Sequence, residues 1–239
     1  MRARGYRGEK ARLASRAMSV IRQIPVFPLP DVVFFPETVL PLHVFETRYR
    51  AMVKDALASD RMIAVALLRP GWEQQYAGNP ACYEVATAGR IEELQTTSDG
   101  RYYFKLAGIV RVRLGEVLRD GPYRLARAED IPETPLDESD ASVRGLKLDL
   151  LATQGYLVRA LTGNDSQSLA LDERMTFAAA VNGACASLPA EAAIRQTLLE
   201  LDDLKERHRR ASGILDEILN RVLALKSAPD NDAGSRGVK

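Results

Sequence analysis

Cysteine and histidine are scarce in this chain of 239 residues, which has two of each: Cys82, Cys185, His43 and His208. Two cysteines that are far apart and outside any Cys-x-x-Cys pair argue against a disulfide framework, and they favour a reducing compartment. Two histidines are too few for a typical His-rich metal site. We therefore expect a cytoplasmic protein with no metal site and no cofactor.

The chain also lacks a charge excess and long apolar runs. Its formal net charge of +1 gives no general reason to expect nucleic acid as a partner. No apolar run approaches the ~18–20 residues needed to cross a bilayer, so we expect no membrane association. With 46% apolar and 27% charged residues, the composition is that of an ordinary globular protein.

Proline, in contrast, is concentrated in one apolar segment, Ile24 to Phe45, which contains five of the twelve prolines. A proline removes a backbone donor and restricts φ, so a central strand of a sheet does not accommodate one every few residues. We therefore predict that this segment forms short edge strands and rigid turns.

The residues that follow have the periodicity of strands. Ile63 to Leu68 is a short apolar run, typical of a buried strand. Ile91 to Leu94 and Tyr102 to Leu106 flank an Asp-Gly turn at residues 98–100, which predicts a hairpin because these turn residues tolerate positive φ. One helix is expected to interrupt the sheet. Its apolar stripe consists of Phe45, Tyr49, Met52, Val53 and Ala56.

The second half of the chain has helical periodicity. Residues 132–140 are acidic and contain two prolines, which indicates an exposed linker. Beyond it, apolar residues recur every three to four positions and predict three helices. The first covers 143–161, the second covers 175–188, and the third follows a heptad pattern over 201–225.

Several motifs in the same order resemble the Lon N-terminal domain family, the substrate-binding domain that precedes the ATPase and peptidase domains of Lon proteases. The residues that carry the resemblance are Pro25, Phe27, Pro28, Leu29, Val33, Phe35, Pro36, Pro41, Leu42, Val44, Phe45, Glu46, Arg48, Tyr83, Glu84, Val85, Gly89, Arg90, Ile91, Gly108, Arg111, Arg113 and the helical segment Gln196 to Arg207. Together they extend over residues 22 to 225.

The resemblance implies an α+β fold, in which a PUA-like β-barrel lobe with one inserted helix precedes a C-terminal α-helical bundle. The lobe is expected over residues 21–132, the linker over 133–140 and the bundle over 141–226. Residues 1–20 are expected to form a disordered basic arm, with an organellar transit peptide or a translation start at Met18 as alternatives. A disordered polar tail is expected over 227–239.

The chemistry of the full-length proteases is absent from the sequence. Their ATPase needs a Gly-x-x-x-x-Gly-Lys-Ser/Thr loop to hold phosphates, but this chain contains no Gly-Lys dipeptide. The polar residues after Leu225 are too few for a peptidase domain. We therefore expect a free-standing, non-catalytic recognition domain that binds unfolded or specific protein substrates. Full-length Lon protease is a candidate partner.

Two surfaces are candidates for binding. A turn-rich loop at residues 69–80 holds Trp72 and Tyr76, aromatic residues suited to an unfolded or apolar peptide. Together with Phe34 and Phe35 they make the predicted peptide-binding set. A lid role for Trp72, folded over the sheet edge, is an equal alternative.

The second surface is cationic and supports the alternative function, RNA binding through the PUA-like lobe. Arg111 and Arg113 alternate with apolar residues on a predicted strand, and Arg101 and Lys105 precede them, so the four side chains could share one face. Neighbouring glutamates could instead pair with these cations, and we favour that reading. The heptad helix either packs within the bundle or forms a seam between copies, so we expect a monomer or a weak dimer.

Overall fold

The structure, a computed structural model, describes residues 20–75, 78–163 and 174–227. The predicted arm, apart from its last residue, and the predicted tail after residue 227 lie outside the described residues. The chain divides into two compact units. The first unit contains the described residues up to 134 and also 190–202, and the second contains 135–189 and the residues from 203 onward. The segment 190–202, which the sequence assigned to the helical bundle, therefore belongs to the first unit.

Within the described residues, the first unit contains six strands and two α-helices. The strands are β1 (Ile21–Leu29), β2 (Val39–Val44), β3 (Met62–Leu67), β4 (Val85–Thr96), β5 (Tyr102–Arg119) and β6 (Arg124–Ile131). The helices are α1 (Thr47–Leu57), which follows β2, and α4 (Ala192–Leu199), which comes from the segment 190–202. The predicted hairpin and inserted helix are confirmed by β4, β5 and α1.

The strands form one mixed sheet in the order β2-β5-β4-β3-β1-β6. β1 and β3 are parallel, and the other pairs are antiparallel. Because β6 also pairs with β5, the pairings of β5, β4, β3, β1 and β6 form a closed circuit. Among the described strands, β2 pairs only with β5 and lies outside this circuit.

The proline-rich β1 is an interior strand, so the prediction of short edge strands is wrong for this part of the segment. Its first half, Ile21–Val26, pairs with β6, and its second half, Val26–Leu29, pairs with β3. Pro25 lies in the first half and Pro28 in the second. Each proline therefore has one neighbouring strand, and the other side of the backbone accommodates its missing N–H.

Two apolar clusters hold the first unit together. The aromatic cluster contains Phe27, Phe34, Val44, Tyr49, Met52, Val53, Ala56, Ile63, Val65, Ile91, Phe104, Leu106 and Tyr123. The alanine-rich cluster contains Ile24, Val26, Met62, Ala64, Ala66, Ala86, Ala88, Val112, Ala126 and Ala128, drawn from all five strands of the circuit. β3 contributes alternate residues to both clusters, which explains why all six of its residues are buried.

A bulge in β5 changes which side chains face each cluster. Gly89 pairs with Gly108 and Ala88 with Val110, so Ile109 is an extra residue in β5. Before the bulge the even-numbered Leu106 packs in the aromatic cluster, whereas after it the even-numbered Val112 packs in the alanine-rich cluster. The extra residue therefore exchanges the two faces of the strand.

The described residues of the second unit form three helices, α2 (Ala141–Thr162), α3 (Phe177–Ser187) and α5 (Leu204–Ser227). The Asp140 side chain caps α2 by accepting from the Ser142 N–H at 2.8 Å, and Thr176 caps α3. The first two helices agree with the predicted spans. The third does not begin at Leu201, because residues 200–203 separate α4 from α5 and the Asp203 carboxylate accepts from the backbone of Lys205 and Glu206.

Candidate functional site

An exposed row of apolar and aromatic side chains runs along β2. Inward-facing Leu40, Leu42 and Val44 pack with the aromatic cluster. The alternate residues, Val39, Pro41 and His43, are exposed, and so is Phe45 directly after the strand. Val39 is 58% exposed and Phe45 57%. This alternation is that of an edge strand with one face on the core and one in solvent.

The neighbouring strand β5 extends this row with an aromatic ring. His43 lies opposite Tyr103 in the register, and their rings stack with centroids 4.1 Å apart and an interplanar angle of 3°. The Phe45 ring lies 5.5 Å from His43. Val39, Pro41, His43, Phe45 and Tyr103 together are called the β2 strip below. It is an exposed, mainly apolar surface on two paired strands.

Charged pairs border the β2 strip. Lys105 lies opposite Pro41 and forms an ion pair of 2.6 Å with Glu93. At the other end, Arg48 pairs with Glu46 at 3.1 Å, and its guanidinium also donates to the Gly78 carbonyl at 3.3 Å. An apolar patch with a polar border is typical of a protein-interaction site.

The residues predicted to bind peptide are not brought together. Trp72 is half-buried in a short 3₁₀ turn, Trp72–Gln75, and Tyr76 lies outside the described residues. Phe34 and Phe35 are 3% and 0% exposed, so including them in a binding surface was wrong.

Two glycines explain the burial of these phenylalanines. A Cβ on Gly89 would lie 2.8 Å from the Phe34 ring, and one on Gly108 would collide with the Phe35 carbonyl. The glycines create the space into which the Phe34–Phe35 segment packs.

The predicted cationic face is not assembled either. Arg101 pairs with Asp99 at 2.9 Å, and Lys105 pairs with Glu93. Because the bulge at Ile109 exchanges the faces of β5, Lys105 and Arg113 project from opposite sides of the sheet. The prediction of one shared face was therefore wrong.

The Arg111 side chain is buried in the first unit instead. It is 0% exposed, donates to the Leu199 carbonyl at 3.0 Å and pairs with Asp202 at 3.2 Å. Glu133 lies 3.6 Å from it. These contacts attach the segment 190–202 to β5, so Arg111 is a structural residue and is not available to a phosphate.

The described residues offer little support for a catalytic site or a metal-binding site. No group of three or more His, Cys, Asp or Glu residues there could hold a metal ion. Burial raises the pKa of the Cys82 thiol, which opposes formation of a nucleophilic thiolate. No helix within the described ranges is long and apolar enough to span a membrane.

Sequence reasoning missed the β2 strip because it placed Phe45 in the apolar stripe of α1. In the structure α1 begins at Thr47, and the other four stripe residues are buried while Phe45 is exposed. The alternation of Leu40, Leu42 and Val44 with exposed neighbours was the available signal.

Comparison with known families matches residues 23–217 to the family described as the ATP-dependent protease La (LON) substrate-binding domain. Lon protease 2 of Myxococcus xanthus is 29% identical over 215 residues, which cover 87% of this chain and 25% of that protein. Lon protease of Escherichia coli is 26% identical over 192 residues, covering 77% and 23% respectively. The chain therefore spans about a quarter of the length of these relatives.

Solved structures support the fold. The N-terminal domain of Mycobacterium avium complex Lon protease superposes with a TM-score of 0.59 at 20% identity, covering 82% of this chain and 99% of that one. A Lon N-terminal domain protein from Xanthomonas campestris gives a TM-score of 0.59 at 24% identity, covering 80% and 98%.

Proposed function

We propose that this chain, which belongs to the LON substrate-binding domain family, binds unfolded polypeptides through the β2 strip. The observation that carries the proposal is the stacked, exposed row of apolar side chains on β2 and β5. Unfolded chains expose apolar and aromatic side chains, which would gain buried area against this row.

The way in which the strip is held favours binding. Side chains on paired strands lose little conformational freedom when they meet a ligand, because the strands already fix their backbone. The stack of His43 on Tyr103 restricts both rings further. Pro41 has no backbone N–H, which disfavours uncontrolled addition of another strand to the β2 edge. Recognition is thus expected through side chains.

We further infer a non-catalytic role as an adaptor or regulator of proteolysis in the cytoplasm. The family match falls on a substrate-binding domain, and Lon proteases are the matched relatives. The closed circuit of strand pairings supports a PUA-like barrel for the first unit. Trp72 stays a predicted additional contact, because its loop is linked to the start of α1 by the bond from Arg48 to Gly78.

The test is binding of a fluorescently labelled, permanently unfolded model protein, measured by anisotropy. Tyr103→Ser and Phe45→Ser should each weaken binding about tenfold, the usual effect of removing a central aromatic contact. Val117→Ser is the matched control, since Val117 is on β5 and is 48% exposed, similar to Tyr103 at 43%. Equal affinities of Tyr103→Ser, Phe45→Ser and the parent protein would refute the proposed site.

A further inference from the structure

An open pocket of about 370 Å³ lies in the first unit, away from the β2 strip. It is lined by Arg69, Tyr83, Glu84, Val85, Arg113 and Glu200. The lining therefore presents two guanidinium groups and two carboxylates, and it shares no residue with the β2 strip.

The four charged side chains of the pocket form no direct ion pairs with one another. Within the part of the chain that the structure describes, none of the four takes part in an ion pair within 4.0 Å. All four residues are exposed, so each can form charge-assisted hydrogen bonds with a ligand. Their separation leaves room for a group that carries both signs of charge.

Two of these charges are held in position by their surroundings. Arg69 donates to the Cys82 carbonyl at 3.1 Å, and its guanidinium lies 5.4 Å from the centroid of the Tyr83 ring. Glu200 accepts from Gln196 Nε2 at 3.0 Å. Such contacts reduce the entropy lost when a ligand is bound.

Gln196 forms hydrogen bonds with two of the lining residues, Val85 and Glu200. It is 1% exposed, and its Nε2 also donates to the Val85 carbonyl at 3.0 Å. These two acceptors define the orientation of the amide. Its Oε1 is buried and has no hydrogen-bond partner among the described residues.

We propose that this pocket binds a small zwitterion. The carboxylate of the ligand pairs with Arg69 and Arg113, and its ammonium group pairs with Glu84 and Glu200. Guanidinium groups bind carboxylates with well-defined geometry, and carboxylates accept from an ammonium group. Free α-amino acids and unblocked short peptides share this chemistry. The inference does not depend on polypeptide binding at the β2 strip.

The experiment is a titration by calorimetry with four probes: alanine, Ala-Ala, N-acetyl-Ala-Ala and Ala-Ala-amide. Each blocked dipeptide lacks one of the two charges, so each should bind at least about tenfold more weakly than Ala-Ala. Tighter binding of alanine than of Ala-Ala would identify free amino acids as the source, and the reverse would identify short peptides. Equal binding of blocked and unblocked dipeptides, or no binding of any probe, would overturn the proposal.

Variants then locate the site. Arg113→Gln should weaken binding of the carboxylate, and Glu84→Gln binding of the ammonium group, each at least about tenfold. Arg127→Gln is the matched control, because Arg127 is exposed and pairs with Glu116 at 3.7 Å outside the pocket. Arg113 and Glu84 are exposed, so circular dichroism should show an intact fold.

Either Arg113→Gln or Glu84→Gln binding like the parent protein would refute the assignment. Tyr103→Ser should leave binding of the zwitterion unchanged, which separates this site from the proposed function of the β2 strip.

Discussion

The two units use their polar side chains differently. In the first unit, Arg113 and Glu84 are exposed around a pocket. In the second unit, Lys147, Asn182 and Arg207 are buried and form internal hydrogen bonds. Lys147 donates to the Met175 carbonyl at 2.8 Å, and the buried Arg207 donates to Asn182 Oδ1 at 2.7 Å. These bonds connect neighbouring elements of the second unit, whereas the exposed groups of the first unit line the proposed zwitterion site.

Arg111 is a buried charged side chain of the first unit, and its removal provides the most severe test of this comparison. Arg111→Ala would remove a buried guanidinium group together with its contacts to the Leu199 carbonyl, Asp202 and Glu133, and we expect a loss of about 3 kcal/mol in the free energy of unfolding. Arg113→Ala, two residues along the same strand but exposed, should change it by less than about 0.5 kcal/mol. Urea denaturation measures both, and equal losses would contradict the distinction between the two arginines.

The close packing of the first unit can be tested by replacing one glycine hydrogen with a methyl group. Gly108→Ala places a Cβ against the Phe35 carbonyl and close to the Phe34 ring. We expect a loss of about 1–3 kcal/mol, since backbone and ring must both shift. Gly115→Ala is the control on the same strand, because its Cβ would meet the nearest atom at an ordinary 3.6 Å. Thermal unfolding of both variants would show whether the glycine is required for space.

A smaller effect is expected in the second unit as pH changes. Burial lowers the pKa of His208, whose Nε2 lies 3.1 Å from the Leu146 carbonyl. His208 therefore binds a proton more readily in the unfolded chain than in the folded protein. Its full contribution to the free energy of unfolding is present above its unfolded pKa of about 6.5. Stability should fall as pH drops below that value.

The measurement is urea denaturation at pH 7.5 and at pH 5.5. Because other groups also titrate, His208→Gln is compared with the parent protein, and its loss of stability on acidification should be smaller. The same pH dependence in both proteins would contradict a role for His208.

Local periodicity predicted the elements of both units well. The apolar run at 63–68, the Asp-Gly turn and the helices over 143–161 and 175–188 correspond to observed elements. These signals depend on residues only a few positions apart, so a short segment of sequence is enough to show each of them. The prediction for the third helix was wrong at its start, because a heptad pattern continued through residues 200–203, where the chain leaves one unit for the other.

The candidate site could be predicted only in part. The strand alternation of Leu40 and Leu42 was visible, but the exposure of Phe45 depends on where α1 begins. The burial of Phe34 depends on Gly89 and Gly108, which come from two other strands. Neither relation is local, so neither could be read from spacing alone.

The sequence by itself determined the family, the order of strands and helices and the scarcity of metal ligands, because these depend on residue types and short spacings. Tertiary structure alone decided which cations face solvent and which serve the core. One extra residue at Ile109 exchanges the faces of β5, and α4 returns from far along the chain to cover Arg111. Both outcomes depend on contacts between segments that are distant in the sequence. Local sequence patterns carry no information about the free energy of those contacts.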